Sequence, residues 1–323
     1  MTLSVIVPIY NGEQYIRECL DSLLKQEIPA EDYEILCVND GSRDGTLEIL
    51  REYEARFSNV VVIDQENSGV CAARNAGLNR ARGEFIWFVD GDDLVLGASL
   101  GKLREAAQGC DRLVFGAYEF TDALTQEEQT LAEEGKLETN TSFYDSVVWR
   151  NWLRREFLRK HDLTFRYPEL THGEDGVFLY ELTLCQPKTV ELDTVVYGYR
   201  LHDGSAETAK SPKSRRRRLK SRIRCCEIFR GYLGRAGSAD RLMSFLWGTL
   251  YDAAGAPKDV TKEAMAELKK AGLYPFRKPK DCTITDSYTV DKTTLVGKIF
   301  DFVYRNFHRP WGYHTMHLLQ KLR

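Results

Sequence analysis

No run of apolar residues in this chain approaches the ~18–20 that a membrane-spanning helix needs. No basic leader opens it either. Met1-Thr2-Leu3-Ser4-Val5-Ile6-Val7-Pro8 reads as a first strand, so no secretory signal peptide is expected. The eight cysteines include no C-x-x-C pair; Cys19, Cys37 and Cys71 sit inside apolar patterns, and Cys225 and Cys226 are adjacent. A zinc site and a disulfide framework are both disfavoured, and buried reduced thiols in a cytoplasmic protein are expected. The turn after the first strand lacks G-x-G-x-x-G, which removes the main support for a dinucleotide-binding fold. Internal repeats and low-complexity tracts are missing too.

What is present describes a globular protein: 323 residues, 43% hydrophobic and 29% charged, enough for one large domain or two modest ones. The net charge of −3 conceals an asymmetry. Residues 210–323 carry 25 Lys and Arg against 10 Asp and Glu, whereas residues 1–209 carry 20 against 38. Two differently used regions are expected, 1–209 and 210–323. The basic one could face anionic lipid headgroups, a phosphorylated acceptor or nucleic acid.

Over the first ~115 residues strand and helix patterns alternate, which predicts a parallel sheet with helices on both faces. Strands are expected at Leu3–Ile9, Tyr33–Val38, Val60–Ile63, Glu84–Val89 and Arg112–Tyr118. Helical spacing runs over Glu13–Lys25, Gly45–Phe57 (with Asp44 as a cap), Gly69–Arg82 and Ser99–Ala107. Beyond Phe120 the pattern breaks. Thr121–Thr141 reads as a polar, acidic loop, Ser142–His161 as helix and Val190–Tyr199 as strand, followed by helices from about Lys213.

Four places carry candidate chemistry. Phe85-Ile86-Trp87-Phe88-Val89 is an apolar run that stops on Asp90-Gly91-Asp92-Asp93. Carboxylates at the carboxyl end of a strand lie where open α/β sheets bind ligands, and they can hold a hard divalent cation. Taken alone, D-G-D-D reads equally well as a solvated turn. Val38-Asn39-Asp40-Gly41-Ser42 ends the second strand. Asp40 can accept from a uracil N3–H, or the segment is a type I turn before a helix cap. In Asn67-Ser68-Gly69 through Gly77, small residues admit a close helix N-terminus and Arg74 adds a fixed charge; a tightly packed helix with Arg74 pairing a structural Asp reads as well. Thr171-His172-Gly173-Glu174-Asp175 places two acids at the opening of a helix, where they suit the helix dipole as well as acid–base work.

Together, SVIVPIYN at 4–11, EILCVNDGSRDGT at 34–46, NSGVCAARNAGL at 67–78 and GEFIWFVDGDD at 83–93 resemble the family 2 glycosyltransferases of the GT-A fold. The resemblance covers residues 1 to about 118 strongly and to about 205 more loosely. It implies a Rossmann-like, mostly parallel α/β sheet with flanking helices, followed by a mainly helical C-terminal region. It implies a UDP-sugar donor, with Pro8, Tyr10 and Asn11 lining the base and ribose site, Asp40 on the uracil edge, and Asn67, Arg74 and Asn75 along the nucleotide. Asp90 would sit near the ribose or the metal, and Asp92 would ligate Mn²⁺ or Mg²⁺ through the diphosphate. Asp175 is the implied general base, with Glu174 orienting beside it. Tyr197-Gly198-Tyr199-Arg200-Leu201-His202-Asp203-Gly204-Ser205 resembles the family's Y-R-x-H-x-x-S segment. Arg200 would clamp the diphosphate, His202 would do so or join the metal shell, and Ser205 is the weakest of the three.

The expected activity is inverting, metal-dependent transfer to a hydroxyl of a glycan or lipid-linked glycan in surface-polysaccharide synthesis. Rivals are transfer to a polyprenyl phosphate, which needs no base, and a catalytically inactive nucleotide-sugar-binding partner subunit. The basic run Arg215-Arg216-Arg217-Arg218, with Lys220, Arg222 and Arg224, reads first as a solvated helix face. Lys298–Arg323 mixes Phe300, Phe302, Tyr304, Phe307, Trp311 and Tyr313 with basic residues. That mix suits an amphipathic helix on the inner face of the plasma membrane, or a helix packed on its own domain or on a second copy in a homodimer. Nucleic acid is not expected as a partner, because no stacking motif accompanies the basic charge.

Overall fold

The computed structural model of the protein describes residues 1–97, 99–140, 147–203 and 211–274. The chain divides into two compact units. One comprises Met1–Glu169 and Glu174–Ser205, the other Leu170–Gly173 and Ala206–Arg323. The boundary expected at 209/210 falls outside the described residues, as do Ser205 and the aromatic basic segment 298–323. The inclusion of Leu170–Gly173 in the second unit was not anticipated.

The first unit is built on one sheet. β1 (Leu3–Ile9), β2 (Tyr33–Asp40), β3 (Val60–Gln65) and β4 (Phe85–Phe88) form its parallel half, in the order β3-β2-β1-β4. Their near-continuous apolar character follows from burial on both faces; every residue of β2 is buried. The crossovers are α1 (Ile16–Leu24), α2 (Thr46–Arg56) and α3 (Val70–Arg80). Ile16, Cys19, Leu20 and Leu23 line the buried stripe of α1 at helical spacing. Apart from Arg74 the buried residues of α3, Cys71, Ala73 and Gly77, are small, so the helix lies close on β1. A Cβ added to Gly77 would overlap the Ile6 side chain.

After β4 come a two-residue strand, β5 (Leu94–Val95), then α4 (Leu100–Ala106) and β6 (Arg112–Phe120). Thr121–Thr141 is not merely a loop, as its polar composition suggested. It contains α5 (Gln126–Glu133), which opens with a capping box: Thr125 Oγ1 accepts from Glu128 N at 3.2 Å, and Glu128 Oε2 accepts from Thr125 N at 2.7 Å. The stretch read as a helix over 142–161 is also different. Its described part is a 3-10 turn at Val148–Arg150, then β7 (Asn151–Arg154), and only then α6 (Arg155–Lys160). β7 pairs antiparallel with both β4 and β6, with Trp152 opposite Trp87. Two waiting strand edges and a pair of buried tryptophans outweigh helical spacing here. α7 (Glu174–Leu184) and β8 (Thr189–Arg200) complete the unit. The whole sheet runs β3-β2-β1-β4-β7-β6-β8-β5, with β6 and β8 parallel.

The described part of the second unit is helical, with α8 (Pro212–Gly231), α9 (Ser238–Ala254) and α10 (Lys258–Lys270). Leu170–Gly173 belongs to it because Ser221 of α8 holds that segment. Its Oγ accepts from Thr171 N at 2.9 Å and from His172 N at 3.1 Å, and donates to His172 O at 2.8 Å. The basic run of α8 is more than a solvated face. Arg216 pairs with Asp259 and Glu263, Lys220 with Glu263, and Arg218 and Arg222 with Asp252. Among the described residues no helix is long and apolar enough to cross a membrane.

The close seating of α3 on β1 has a measurable consequence. Gly77→Ala should destabilise the protein by about 1–3 kcal/mol through overpacking. Ile6→Ala alone should cost about 2–5 kcal/mol, and the double variant should cost less than the two together, because the removed branches make room for the new methyl. Urea unfolding of the four proteins measures the coupling, and simple additivity would contradict the contact.

Candidate active site

The carboxyl ends of β1, β2 and β4 and the start of α7 bring together most of the expected residues. The acidic turn is closed by Asp93 N donating to Asp90 O at 3.1 Å. Its three carboxylates differ sharply. Asp93 is 1% exposed and accepts from the Tyr197 hydroxyl at 2.6 Å and from Arg200 N at 2.8 Å. Burial holds its carboxyl well above the usual carboxylate range, and the like charges of Asp92 and Asp90 add to that. Its task is to support the turn. Asp90 donates its backbone N–H to the same Tyr197 hydroxyl at 3.1 Å and pairs through Oδ1 with Arg74 Nη2 at 3.1 Å. Asp92 keeps 35% of its side-chain surface, and its Oδ2 lies 2.9 Å from His202 Nε2.

Arg74, on α3, is the centre of the second cluster. Buried to 3% exposure, it binds Asp90, Glu174 Oε1 at 2.9 Å and Asp175 Oδ1 at 2.5 Å, and it lies over the Phe165 ring. Its Nε and Glu174 Oε2 are buried without a hydrogen-bond partner. Asp175 also accepts from Val148 N through Oδ2 at 3.0 Å. Burial pushes its carboxyl up to about 7; Arg74 opposes that shift, while Glu174 and Asp90 reinforce it. The three anions raise the Arg74 guanidinium above its ordinary value against the effect of its own burial.

On the nucleotide side, Pro8 is half-buried in β1 opposite Val38, and Tyr10 is 50% exposed. Asn11 takes a positive φ of 53° and ties two loops: its Oδ1 accepts from Arg43 N at 2.8 Å and its N–H donates to Ser42 Oγ at 2.9 Å. Asp40 is buried. Oδ1 accepts from Gln65 Nε2 and Ser68 N, and Oδ2 from Gly69 N, all at 2.8 Å. Asn67 Nδ2 donates to Asp40 O at 2.8 Å.

Two expected ligand residues do scaffold work. Both ends of the Asn75 amide bond the backbone of Phe165, at 2.9 and 3.0 Å. Arg200 is committed on all three nitrogens, to Asp92 O at 2.9 Å, Asp122 O at 2.8 Å and Glu18 Oε2 at 2.6 Å, between the rings of Tyr15 and Phe120. Tyr197 lies within the Y-R-x-H-x-x-S-like segment, but its place under the acidic turn is visible only in the structure. The same holds for Val148–Asn151, where the aromatic density of Trp149-Arg150-Asn151-Trp152 is the one local signal of a strand.

Among the described residues no group of three His, Cys, Asp or Glu converges as a ready metal cage. The donors that are present, an accessible Asp92 carboxylate beside an imidazole, suit a hard or borderline divalent cation that takes its remaining ligands from a bound diphosphate.

The sequence model of glycosyl transferase family 2 matches residues 4–171. The uncharacterised glycosyltransferase EpsJ of Bacillus subtilis is 32% identical over 286 residues, spanning 81% of each chain. The poly(ribitol-phosphate) β-N-acetylglucosaminyltransferase TarS of Staphylococcus aureus is 43% identical over 96 residues, 29% of this chain and 17% of TarS. The crystal structure of TarS 1–349 with UDP-GlcNAc superposes with a TM-score of 0.63 at 22% identity, covering 99% of this chain and 91% of that one. The mannosyltransferase PcManGT of Pyrobaculum calidifontis, in complex with GDP-Man and Mn²⁺, has a TM-score of 0.51 at 17% identity, covering 99% and 86%. The chain belongs to glycosyl transferase family 2. It is a glycosyltransferase with the GT-A fold and a helical C-terminal region.

The Arg74 cluster is testable as a structural unit. Arg74→Met leaves the part-exposed Asp90 and the mostly enclosed Glu174 and Asp175 without their cation and should cost about 3–5 kcal/mol near pH 8. Protonating the acids removes the uncompensated charge, so the deficit should shrink as pH falls toward 5. Denaturant unfolding of both proteins at the two pH values measures this.

Proposed function

We propose that the protein moves a sugar from a UDP-sugar to a hydroxyl of a glycan or lipid-linked glycan, with inversion and with Mn²⁺ or Mg²⁺ against Asp92. The observation that carries this reading is the Arg74 bridge. One buried guanidinium joins the acidic turn, through Asp90, to Glu174 and Asp175, so the leaving-group side and the base side share one rigid anchor. The UDP-GlcNAc complex of TarS and the Mn²⁺ complex of PcManGT support the donor class and the cation. The similarity to TarS, a poly(ribitol-phosphate) β-N-acetylglucosaminyltransferase, supports a polymeric acceptor that offers hydroxyls.

In this reading Asp40 keeps a lone pair on Oδ2 for a uracil N3–H, and exposed Tyr10 and Pro8 offer an apolar face to the base. Asn11 and Asn67 fix the loops around it. Asp92, with His202 on its Oδ2 and Asp90 alongside, would hold the cation, whose chemistry would be to neutralise charge on the departing diphosphate. Asp175 takes the acceptor hydroxyl proton as that oxygen bonds to the anomeric carbon and the bond to the diphosphate oxygen breaks. A single displacement inverts the centre and needs no covalent nucleophile. Glu174 and Arg74 keep Asp175 in place.

Only ionised Asp175 can accept a proton, and its carboxyl is held up at about 7. The value of kcat/KM should therefore rise with pH through that region and level off above it. Asp175→Asn should lower turnover by about 10²–10⁴-fold while leaving UDP binding intact. Retained turnover would point instead to an already ionised acceptor such as a polyprenyl phosphate. Thermal shift in a panel of nucleotide sugars tests donor and cation together. One UDP-sugar with Mn²⁺ should stabilise well beyond UDP alone, and Asp92→Asn should abolish the Mn²⁺-dependent part. Equal stabilisation in EDTA would overturn the metal reading.

A further inference from the structure

The Val148–Arg150 turn that precedes β7 is pinned from several directions, and one backbone N–H is what the pinning delivers. Asn151, 1% exposed, donates from Nδ2 to Val147 O at 2.9 Å and to Val148 O at 3.2 Å. Its Oδ1 accepts from buried Arg112 Nε at 2.7 Å, which fixes the orientation of the amide. Trp87 Nε1 donates to Trp149 O at 2.7 Å, and Arg150 Nε donates to Phe115 O at 2.8 Å. The Trp149 ring stacks on Tyr197 at 4.3 Å between centroids, and the Tyr197 hydroxyl bridges Asp90 N and Asp93 Oδ2. The output is Val148 N–H, 3.0 Å from Asp175 Oδ2.

We propose that Asn151 is a positioning residue for the transfer reaction, locking the Val147–Val148 backbone so that Val148 N–H stays on Asp175 and favours its ionised form. The inference rests on Asp175 as the general base. Among the described residues the charged groups around Asp175 are Arg74 from α3, Glu174 beside it on α7, and Asp90 from the turn after β4. One cation faces three acids, so a neutral donor on the second oxygen is the remaining means of favouring the anion without adding charge. Only an amide can serve here. An Asp side chain at 151 would satisfy Arg112 but would set an acceptor against two carbonyls.

Two substitutions separate the links. Val148→Pro deletes the N–H and exchanges the buried isopropyl group for a ring of the same carbon count. Val148 is the first residue of the 3-10 turn and Val147 is extended, at φ −121° and ψ 128°, which is backbone that tolerates proline at the next position. Asn151→Asp keeps the Arg112 contact and removes the donors to the two carbonyls. The readouts are the titration of the Asp175 carboxyl by ¹³C NMR, assigned against Asp175→Asn, and kcat/KM against pH. In both variants the Asp175 midpoint should move up by about one pH unit, the effect of losing one hydrogen bond to a charged group. The acid limb of kcat/KM should follow it, with the rate largely recovered at high pH. Folded variants whose Asp175 midpoint stays at the wild-type value would overturn the proposal. A midpoint that moves while the kinetic limb does not would overturn the general-base reading and leave the buttress standing. Should Asn151→Asp fail to fold, Asn151→Ala combined with Arg112→Met removes the buried guanidinium together with its acceptor and serves the same comparison.

Discussion

A guanidinium that is 3% exposed and holds three carboxylates from two separate parts of the chain is the constraint on which the rest of the site depends. Taking Arg74 out of water is costly, and its anionic partners repay that cost only if the geometry is good. The geometry comes from α3. Its other buried residues are small enough for the helix to sit directly on β1, which brings Arg74 level with the carboxyl ends of the strands. Asp90 then arrives from the end of β4 and Glu174 and Asp175 from the opening of α7. One positive charge cannot neutralise three negative ones, so the cluster has an affinity for a proton. The raised Asp175 carboxyl comes first from burial, which Arg74 opposes and which Glu174 and Asp90 reinforce. A group that titrates near neutrality suits general-base work.

Much of this was legible in the sequence, for reasons that differ along the chain. The parallel half declares itself because its strands are buried on both faces and its helices keep a 3.6-residue stripe, so each element is specified locally. The acidic turn and the Glu174-Asp175 pair stand out because charge follows directly on apolar runs. β7 was hidden because its strand character is borrowed. Asn151–Arg154 becomes a strand only by pairing with β4 and β6, and no local periodicity records that. α5 was hidden for the opposite reason: its polar surface masks a helix that the Thr125–Glu128 capping box could have announced. Asn151 was invisible, since its partners are carbonyls whose positions exist only in the folded turn.

The charge asymmetry between the two regions had a different fate. An excess of positive charge after residue 210 invites a search for an anionic partner. Within the second unit, much of the basic run on α8 meets Asp252, Asp259 and Glu263 of the neighbouring helices. Exposed pairs of this kind add little to stability, but they lower the field available for steering an outside anion. A formal balance counted along the sequence therefore overstates the attraction that α8 can exert on a membrane or a phosphate.

Burial also sorts the carboxylates of the acidic turn, and the sorting accounts for their different tasks. Asp93 is fully enclosed, and each of its oxygens already accepts one hydrogen bond, from the Tyr197 hydroxyl and from the Arg200 backbone. Asp90 has one oxygen engaged by Arg74. Asp92 keeps about a third of its surface and has only an imidazole on one oxygen, a contact that a cation could share or replace. Arg200, read from its motif as a phosphate clamp, instead ties the Asp92 carbonyl to Glu18 and Asp122. Three of its five N–H donors are engaged there, so a contact with a phosphate would have to use the two that remain or exchange one of these bonds.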